Sequence, residues 1–331
     1  MSDTMKFVVA SIIAAALGIA STTHGAPTLP TTGPLPNSYY SLQYQDNLVK
    51  NQRNIAGQPF AKYFRPDLFL YKEAIDAGKQ SLNCNTQALK QDLSDIRRLQ
   101  TPITNELPGE SGWCSYPDGG GYVASKTYWP GVTGEMITWW FWWHSAASVR
   151  YSLWHPWGHV SIDSTYKDRL DNPNLLNQQK YIGAVHHINE IIGDQLLPID
   201  IHFKNVSDIG LDPTQLKPNG IVASASGEIY AQGTPLKIAN MYHFWHEVPG
   251  GLILRSRYFL GNNVQVQIPI LGQFLPINQI AALLGIKNII AVRPLSLQQF
   301  FHDSQEMTHL ASILPDLFKE YGQLNKSGGT F

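Results

Sequence analysis

The stretch from Trp139 to His159, WWFWWHSAASVRYSLWHPWGH, holds six tryptophans, three histidines, one tyrosine and one arginine. So much indole in so short a span has to be buried, because each aromatic side chain takes roughly 150–250 Å² of surface out of water. Any fold for this chain must therefore close a substantial core around it. Two readings compete: dense packing with the histidines satisfied by backbone carbonyls, or the wall of a site for a flat ring and a metal ion. Periodicity alone favours packing.

The rest of the chain can supply that core, since 331 residues with 43% hydrophobic content make one large domain or two ordinary ones. No internal repeat, low-complexity tract or linker follows residue 60, so one domain is expected. Charged residues are only 15%, the net charge is -1, and no basic block occurs. That excludes a nucleic-acid surface, which needs clustered Lys and Arg to neutralise phosphates.

The first residues read as a targeting segment. MKFVVASIIAAALGIASTTHGAPT carries a positive charge at Lys6, an apolar run from Phe7 to about Ile19, and small residues after it. This is the layout of a secretory signal peptide over residues 1–26, with cleavage expected after Gly25 or Ala26. The run is short for a stable membrane span, which takes about 20 apolar residues. A secreted or periplasmic location makes a disulfide the simplest reading of the two cysteines, Cys84 and Cys114.

Residues 27–60, rich in Pro, Thr, Asn and Gln, read as an extended lead-in to a single domain over 61–331. PDLFLYKEAIDAG and TQALKQDLSDIRRLQ carry helical periodicity, the second opened by a threonine in a capping position. LLPIDIHFK reads as a strand. IANMYHFWHEV and LILRSRYFLG, joined through Pro-Gly-Gly, read as a hairpin, and NVQVQIPI alternates as a half-buried strand does. LSLQQFFHDSQEMTHLASILPDLFKEYG is a long helix with Ser296 as its candidate cap. Helices first, an antiparallel sheet in the middle and a long last helix give an α+β class, the helix packed over a curved sheet.

On that helix His302 and Glu306 are four residues apart, so they share a face and can reach one ion. Such a pair alone is common on solvated helices. Partners exist in WHPWGH (His155, His159) and VHHINE (His186, His187, Glu190), and donors of this kind suit zinc. The hairpin adds a second group. An even-numbered loop at VPGG sets Val248 against Gly251 and Met241 against Tyr258, putting His243, Ser256 and Tyr258 on one face. An odd loop would part His243 from Tyr258. A histidine and a phenol on one wall suit a hydroxylated ring, or else pair with each other in the core.

In order along the chain, WWFWWH, RYSLWHPWGH, GAVHHINEIIG, LRSRYFLG and HDSQEMTHLASILPDLF resemble the 2,4-diacetylphloroglucinol hydrolase and phloretin hydrolase family, from about residue 130 to 320. The resemblance implies a Bet v1-like helix-grip fold, a curved antiparallel sheet around a long C-terminal helix. It implies a mononuclear zinc site of His159, Glu190, His302 and Glu306, with Tyr151, His243 and Tyr258 near the substrate. The implied reaction hydrolyses the carbon–carbon bond between an acyl group and a phenolic ring. Zinc would polarise the carbonyl and make hydroxide available near neutral pH. Tyr151, His243 and Tyr258 would hold ring hydroxyls in the tautomer that delocalises the departing charge, and Glu190 would shuttle a proton.

The expected partner is a small acylated phenol or related diketone, and a homodimer is compatible with the resemblance. A family asparagine three residues past the first zinc histidine is Ile162 here, with Asp163 as its candidate replacement. His144 and His155 are expected to orient neighbours through hydrogen bonds, and Arg150 to pair with a buried carboxylate. The alternatives are a non-catalytic helix-grip carrier of hydrophobic aromatic ligands, or a hydrolase of the same fold acting on other β-diketones or esters. Four convergent ligands favour an enzyme.

Overall fold

The computed structural model describes residues 31–117, 119–267, 274–279 and 293–322; the expected signal peptide lies outside them. The sheet comprises β1 (Gly112–Ser115), β2 (Gly121–Pro130), β3 (His159–Ser164), β4 (Val185–Ile192), β5 (Gln195–Phe203), β6 (Ile221–Ser224), β7 (Gly227–Ala231), β8 (Leu236–Val248), β9 (Gly251–Gln267) and β10 (Phe274–Pro276). Its order is β1-β2-β9-β8-β7-β5-β4-β3, with β10 added to β9 and β6 to β8, and the pairings are antiparallel.

The β8–β9 hairpin has the even-numbered loop: Val248 faces Gly251 and Met241 faces Tyr258. Gly250 turns the chain at φ +84°, a conformation other L-residues rarely adopt. The register therefore puts His243, Ser256 and Tyr258 on one face, looking into the molecule.

Three helices matter for the site: α1 (Leu42–Ile55), α2 (Gly134–Trp143) and α3 (Arg293–Tyr321). Helix α3 packs against β1 and β2 with Phe300, Phe301, Met307, Leu310, Leu314 and Leu317 buried. Gly78 lets the chain approach it closely, since a Cβ there would sit 2.2 Å from the Phe301 ring. The sheet gripping α3 is the helix-grip arrangement expected for an α+β chain of this pattern. Helix α3 also buries five polar residues in succession, His302 to Glu306, each at 5% exposure or less. Polar groups that deep require partners, so the helix itself marks where the chemistry lies.

Helix α2 is the tryptophan-rich stretch, its first turn capped by Thr133 Oγ1 accepting from Met136 N–H. Trp139 stacks on Trp143 at 4.9 Å and meets Phe318 of α3 edge-on at 5.3 Å, while Trp140 meets Trp154 at 5.9 Å. Most of the indoles are core, as the packing reading holds.

The opposite face of the sheet is covered by the segment that leads into β1. Leu89, Ile96, Leu99 and Leu107 pack on Tyr122, Phe244 and Phe259. Glu110 ties that segment down by accepting from Arg255 (2.7 Å) and Arg257 (2.8 Å), and the Cys84–Cys114 disulfide fastens it to β1. No helix among the described residues is long and apolar enough to cross a membrane.

Three expectations need correction. The lead-in over 27–60 is not simply extended: α1 forms within it, because Tyr44, Asn47, Asn51 and Ile55 recur at helical spacing and are buried. The helix read over TQALKQDLSDIRRLQ is broken into Cys84–Gln87 and Leu93–Arg97, and Asp92 rather than a threonine caps the second piece. Ser296 does not cap the last helix, which runs from Arg293 and holds Ser296 buried inside its first turns.

Candidate active site

Strand register builds the first half of the site. His159 opens β3 and pairs directly with Glu190 on β4, so the two side chains are cross-strand neighbours. Past His159 the register shifts before Ser161, a bulge that leaves Val160 as the extra residue. Bulges of this kind re-aim side chains beside functional sites. Helix α3 supplies the second half, with His302 and Glu306 one turn apart. His159 Nε2 lies 3.2 Å from Glu306 Oε2 and 3.9 Å from Glu190 Oε2; His302 Nε2 lies 3.8 Å from each of the same two oxygens. Four donors from three elements thus converge, and His159, His302 and Glu306 are close enough to hold one metal ion.

The histidines are prepared for that task. His159 Nδ1–H donates to the Tyr151 carbonyl at 3.0 Å, which fixes the tautomer and leaves the Nε2 lone pair pointing at the carboxylates. The Tyr151 ring stacks on His159 at 3.8 Å, and its hydroxyl donates to Glu190 Oε2 at 3.1 Å. His302 stacks on His155 at 4.4 Å. Nε2 of both His159 and His302 is buried without a hydrogen-bond partner among the described residues.

Burial also governs charge. It pushes the Glu190 carboxyl up to about 7, against the pull of the Tyr151 hydrogen bond, and holds Glu306 well above the usual carboxylate range with help from the Asp303 and Glu190 charges. It holds His302 down to about 3 and His159 well below the usual imidazole range, neighbouring histidines adding to the latter. Neutral imidazoles cannot balance two buried carboxylates. A divalent cation accepting two nitrogens and two carboxylate oxygens fits both the charge and the orphaned lone pairs.

The facing wall is the hairpin. Tyr258 OH lies 3.3 Å from His243 Nε2 and 3.1 Å from Asp303 Oδ1 on α3. Asp303 also accepts from Ser256 Oγ at 3.1 Å and from Ser125 Oγ. His243 Nδ1 is buried and without a partner among the described residues. So His243 and Tyr258 do contact each other, as the core-packing reading allowed, but within a network reaching the residue beside His302.

Helix α1 holds the histidine loop from behind. Asn47 Nδ2 donates to the carbonyls of Trp157 (2.8 Å) and His159 (3.0 Å), and Asn51 Nδ2 to those of Pro156 (2.9 Å) and His159 (2.8 Å). Gly158 lets the loop pass, since a Cβ there would fall 2.9 Å from both His155 Nδ1 and His302 Cε1.

Other expectations fare unevenly. Asp163 cannot replace the missing asparagine: its side chain is 58% exposed and ion-paired with Lys167 at 2.5 Å, while Ile162 faces inward. His155 does orient neighbours, accepting from Gly158 N–H at 2.7 Å beneath His302. His144 donates to the Trp140 carbonyl at 2.6 Å, Nδ1 carrying the proton, and stacks near Tyr151. Arg150 lies over the Trp143 ring at 4.5 Å and donates to the Trp143 carbonyl. His187 points away from the site and pairs with Asp200 at 2.6 Å. Asp303, Asn47 and Asn51 were missed. Only the helical spacing of the two asparagines with Tyr44 and Ile55 could have flagged α1.

Between the two walls lies a cavity of about 710 Å³, lined by Glu190, His302, Glu306, Tyr151, His243 and Tyr258 and by many aliphatic side chains. Fold and site together define a helix-grip protein with a buried histidine–carboxylate centre able to hold a metal ion at the edge of an apolar cavity.

The chain belongs to the DAPG hydrolase family: the model described as "DAPG hydrolase PhiG domain" matches residues 89–319. It is 32% identical to a 2,4-diacetylphloroglucinol hydrolase from a Pseudomonas species over 290 residues, 87% of this chain and 96% of that one. It is likewise 32% identical to the enzyme of that name from Pseudomonas protegens, over 87% and 92%. Phloretin hydrolase from Eubacterium ramulus is 32% identical over 207 residues, 61% of this chain and 69% of that one. The crystal structure of Ara h 8.0201 overlaps 57% of this chain and 97% of its own at 9% identity, with a TM-score of 0.29. The relatives are hydrolases, and this chain is an enzyme of that class.

Proposed function

We propose that this protein is an exported, zinc-dependent hydrolase that cleaves the carbon–carbon bond between an acyl group and a phenolic ring. The observation that carries the reading is the convergence of His159, Glu190, His302 and Glu306 on the edge of a cavity whose other wall presents His243 and Tyr258. The Cys84–Cys114 bond supports an oxidising compartment. A carrier of aromatic ligands would bury the same four groups at an electrostatic cost with no return.

The four ligands would hold zinc, which when bound polarises an acyl carbonyl and makes hydroxide available near neutral pH. The chain's own residues do the rest. Tyr151 donates to Glu190 Oε2 and so orients a carboxylate that would serve as a ligand and pass a proton during the reaction. His243 and Tyr258 hold ring hydroxyls and favour the keto tautomer, in which the leaving carbon lies between two carbonyls. The elements of one water are consumed: hydroxyl joins the acyl carbon to give a carboxylic acid, and a proton joins the ring carbon as the bond breaks. The aliphatic lining excludes other water.

The test is elemental analysis of purified protein with His302→Ala and Glu306→Ala alongside, together with turnover of an acylphloroglucinol. About one zinc per chain, lost in both variants along with turnover, is expected. Turnover unchanged in His302→Ala defeats the reading.

A further inference from the structure

We propose that the substrate's acyl group is a long apolar chain, several carbons beyond acetyl, lying on aliphatic rows that cross the cavity floor. This rests on the reading of an acylphenol hydrolase given above.

Strand register makes the rows. Ile162 on β3 pairs with Ile188 on β4, Ile188 with Ile199 on β5, and Ile199 with Ala231 on β7. The neighbouring row runs from His186 on β4 through Ile201, Ile229 and Ala239 to Leu260 on β9. All of these residues line the cavity, and His186, at one end, is the single member with a hydrogen-bonding side chain. Strand-paired residues on one face stand about 4.5–5.5 Å apart, so the rows form a continuous apolar floor rather than scattered contacts.

Their position assigns the chemical group. Ile188 stands two residues from Glu190 on the same face of β4, and Leu197, paired with Glu190 across β5, also lines the cavity. The floor therefore begins where an acyl carbonyl directed at the histidine–carboxylate cluster would lie. Away from His186, whose buried Nε2 has no hydrogen-bond partner among the described residues, a ring hydroxyl laid on it would lose its water and gain no partner. Hydroxyls find partners at the His243–Tyr258 wall instead. With the ring turned to that wall and the carbonyl to the cluster, the remaining substituent of the carbonyl falls on the rows. Leu196, 49% exposed near the start of β5, carries the lining to the surface beside the polar Asp194 and Gln195, so a chain has somewhere to run. The volume of about 710 Å³ is in the upper half of the usual range for small-molecule sites, ample beyond an acetyl group.

The experiment uses the full zinc-loaded chain and a series of 2-acylphloroglucinols from acetyl through butanoyl and hexanoyl to octanoyl. Burying each methylene is worth roughly fourfold. The expected result is a kcat/KM at least about tenfold higher for hexanoyl than for acetyl, with the hexanoyl-to-acetyl ratio lowered in Ile199→Thr. A ratio of one or less overturns the proposal, as does a larger gain from alkylating the ring instead of the acyl group. If no member is hydrolysed, the acylphenol reaction itself fails. Affinity measured by tryptophan fluorescence across the same series then decides the floor: affinity rising with chain length supports it, and flat affinity refutes it.

Discussion

Tyr258 donates its phenolic proton to Asp303 Oδ1, 3.1 Å away on the residue that follows His302. A phenol has one proton, so it cannot also donate to His243 Nε2 at 3.3 Å; the imidazole must donate to the phenol oxygen. Asp303 thus sets the polarity of the whole facing wall while Ser125 and Ser256 complete its acceptor positions.

Asp303→Asn offers an N–H where the carboxylate accepted and reverses that polarity. A roughly 10- to 100-fold fall in kcat is expected, the usual scale for groups that orient a site, with KM changed less than threefold. Tyr258→Phe should act in the same direction, and the double variant should be little worse than the poorer single one, since the two act as a unit. Steady-state kinetics of the three proteins decide it; a raised KM with intact kcat would point to plain loss of packing.

Asn47 and Asn51 touch no ligand side chain, yet they pin the carbonyl of His159 twice. Asn47→Ala with Asn51→Ala removes four hydrogen bonds to the loop. Affinity for the proposed zinc should fall roughly 10- to 100-fold, as for other groups that brace ligands. Competition with a chromophoric chelator measures it directly.

Metal removal should lower thermal stability as well as activity. A site held at about 1,000 times its Kd contributes about 4 kcal/mol. Calorimetry with and without chelator should show a clear drop in melting temperature for the parent chain and none for His302→Ala, which has no complete site to empty.

Glu110 gives a pH signature remote from the site. Burial would raise its carboxyl, but the Arg255 and Arg257 guanidiniums outweigh burial and hold it at about 2. Its folded value lies below its unfolded one near 4.5, so the contribution is complete above about 4.5 and is lost as pH falls toward 2. Allowing for solvent screening, it is worth about 2 kcal/mol. Glu110→Gln should lose that amount at pH 7, and its stability should fall less steeply than the parent's between pH 4.5 and 2 in urea titrations.

The hairpin was legible in the sequence from turn chemistry and two-residue alternation, but its register hung on whether the VPGG loop is even or odd, and the pairing of Val248 with Gly251 makes it even and sets Met241 against Tyr258. The His302–Glu306 pair was legible because helical spacing is local. Assigning His159 and Glu190 to the same centre needed the family resemblance, since their pairing passes through a bulge at Val160 that no local pattern announces. Asp303 escaped because an aspartate beside a histidine on a helix ordinarily faces water; only the strands around it bury it. Helix α1 was misread because its buried face carries two asparagines, which weaken the apolar stripe that signals a helix.

The brace at Asn47 and Asn51 and the proposed ligands His302 and Glu306 lie far apart in the sequence. A ribosome that has not yet passed residue 306 has made a chain with no complete centre to fill. A protease that removes either segment dismantles the centre without touching the residues between them. Filling of the metal centre proposed above would therefore be a late event, and a truncated or half-translated copy would be expected to stay inert rather than become a loosely loaded, promiscuous catalyst.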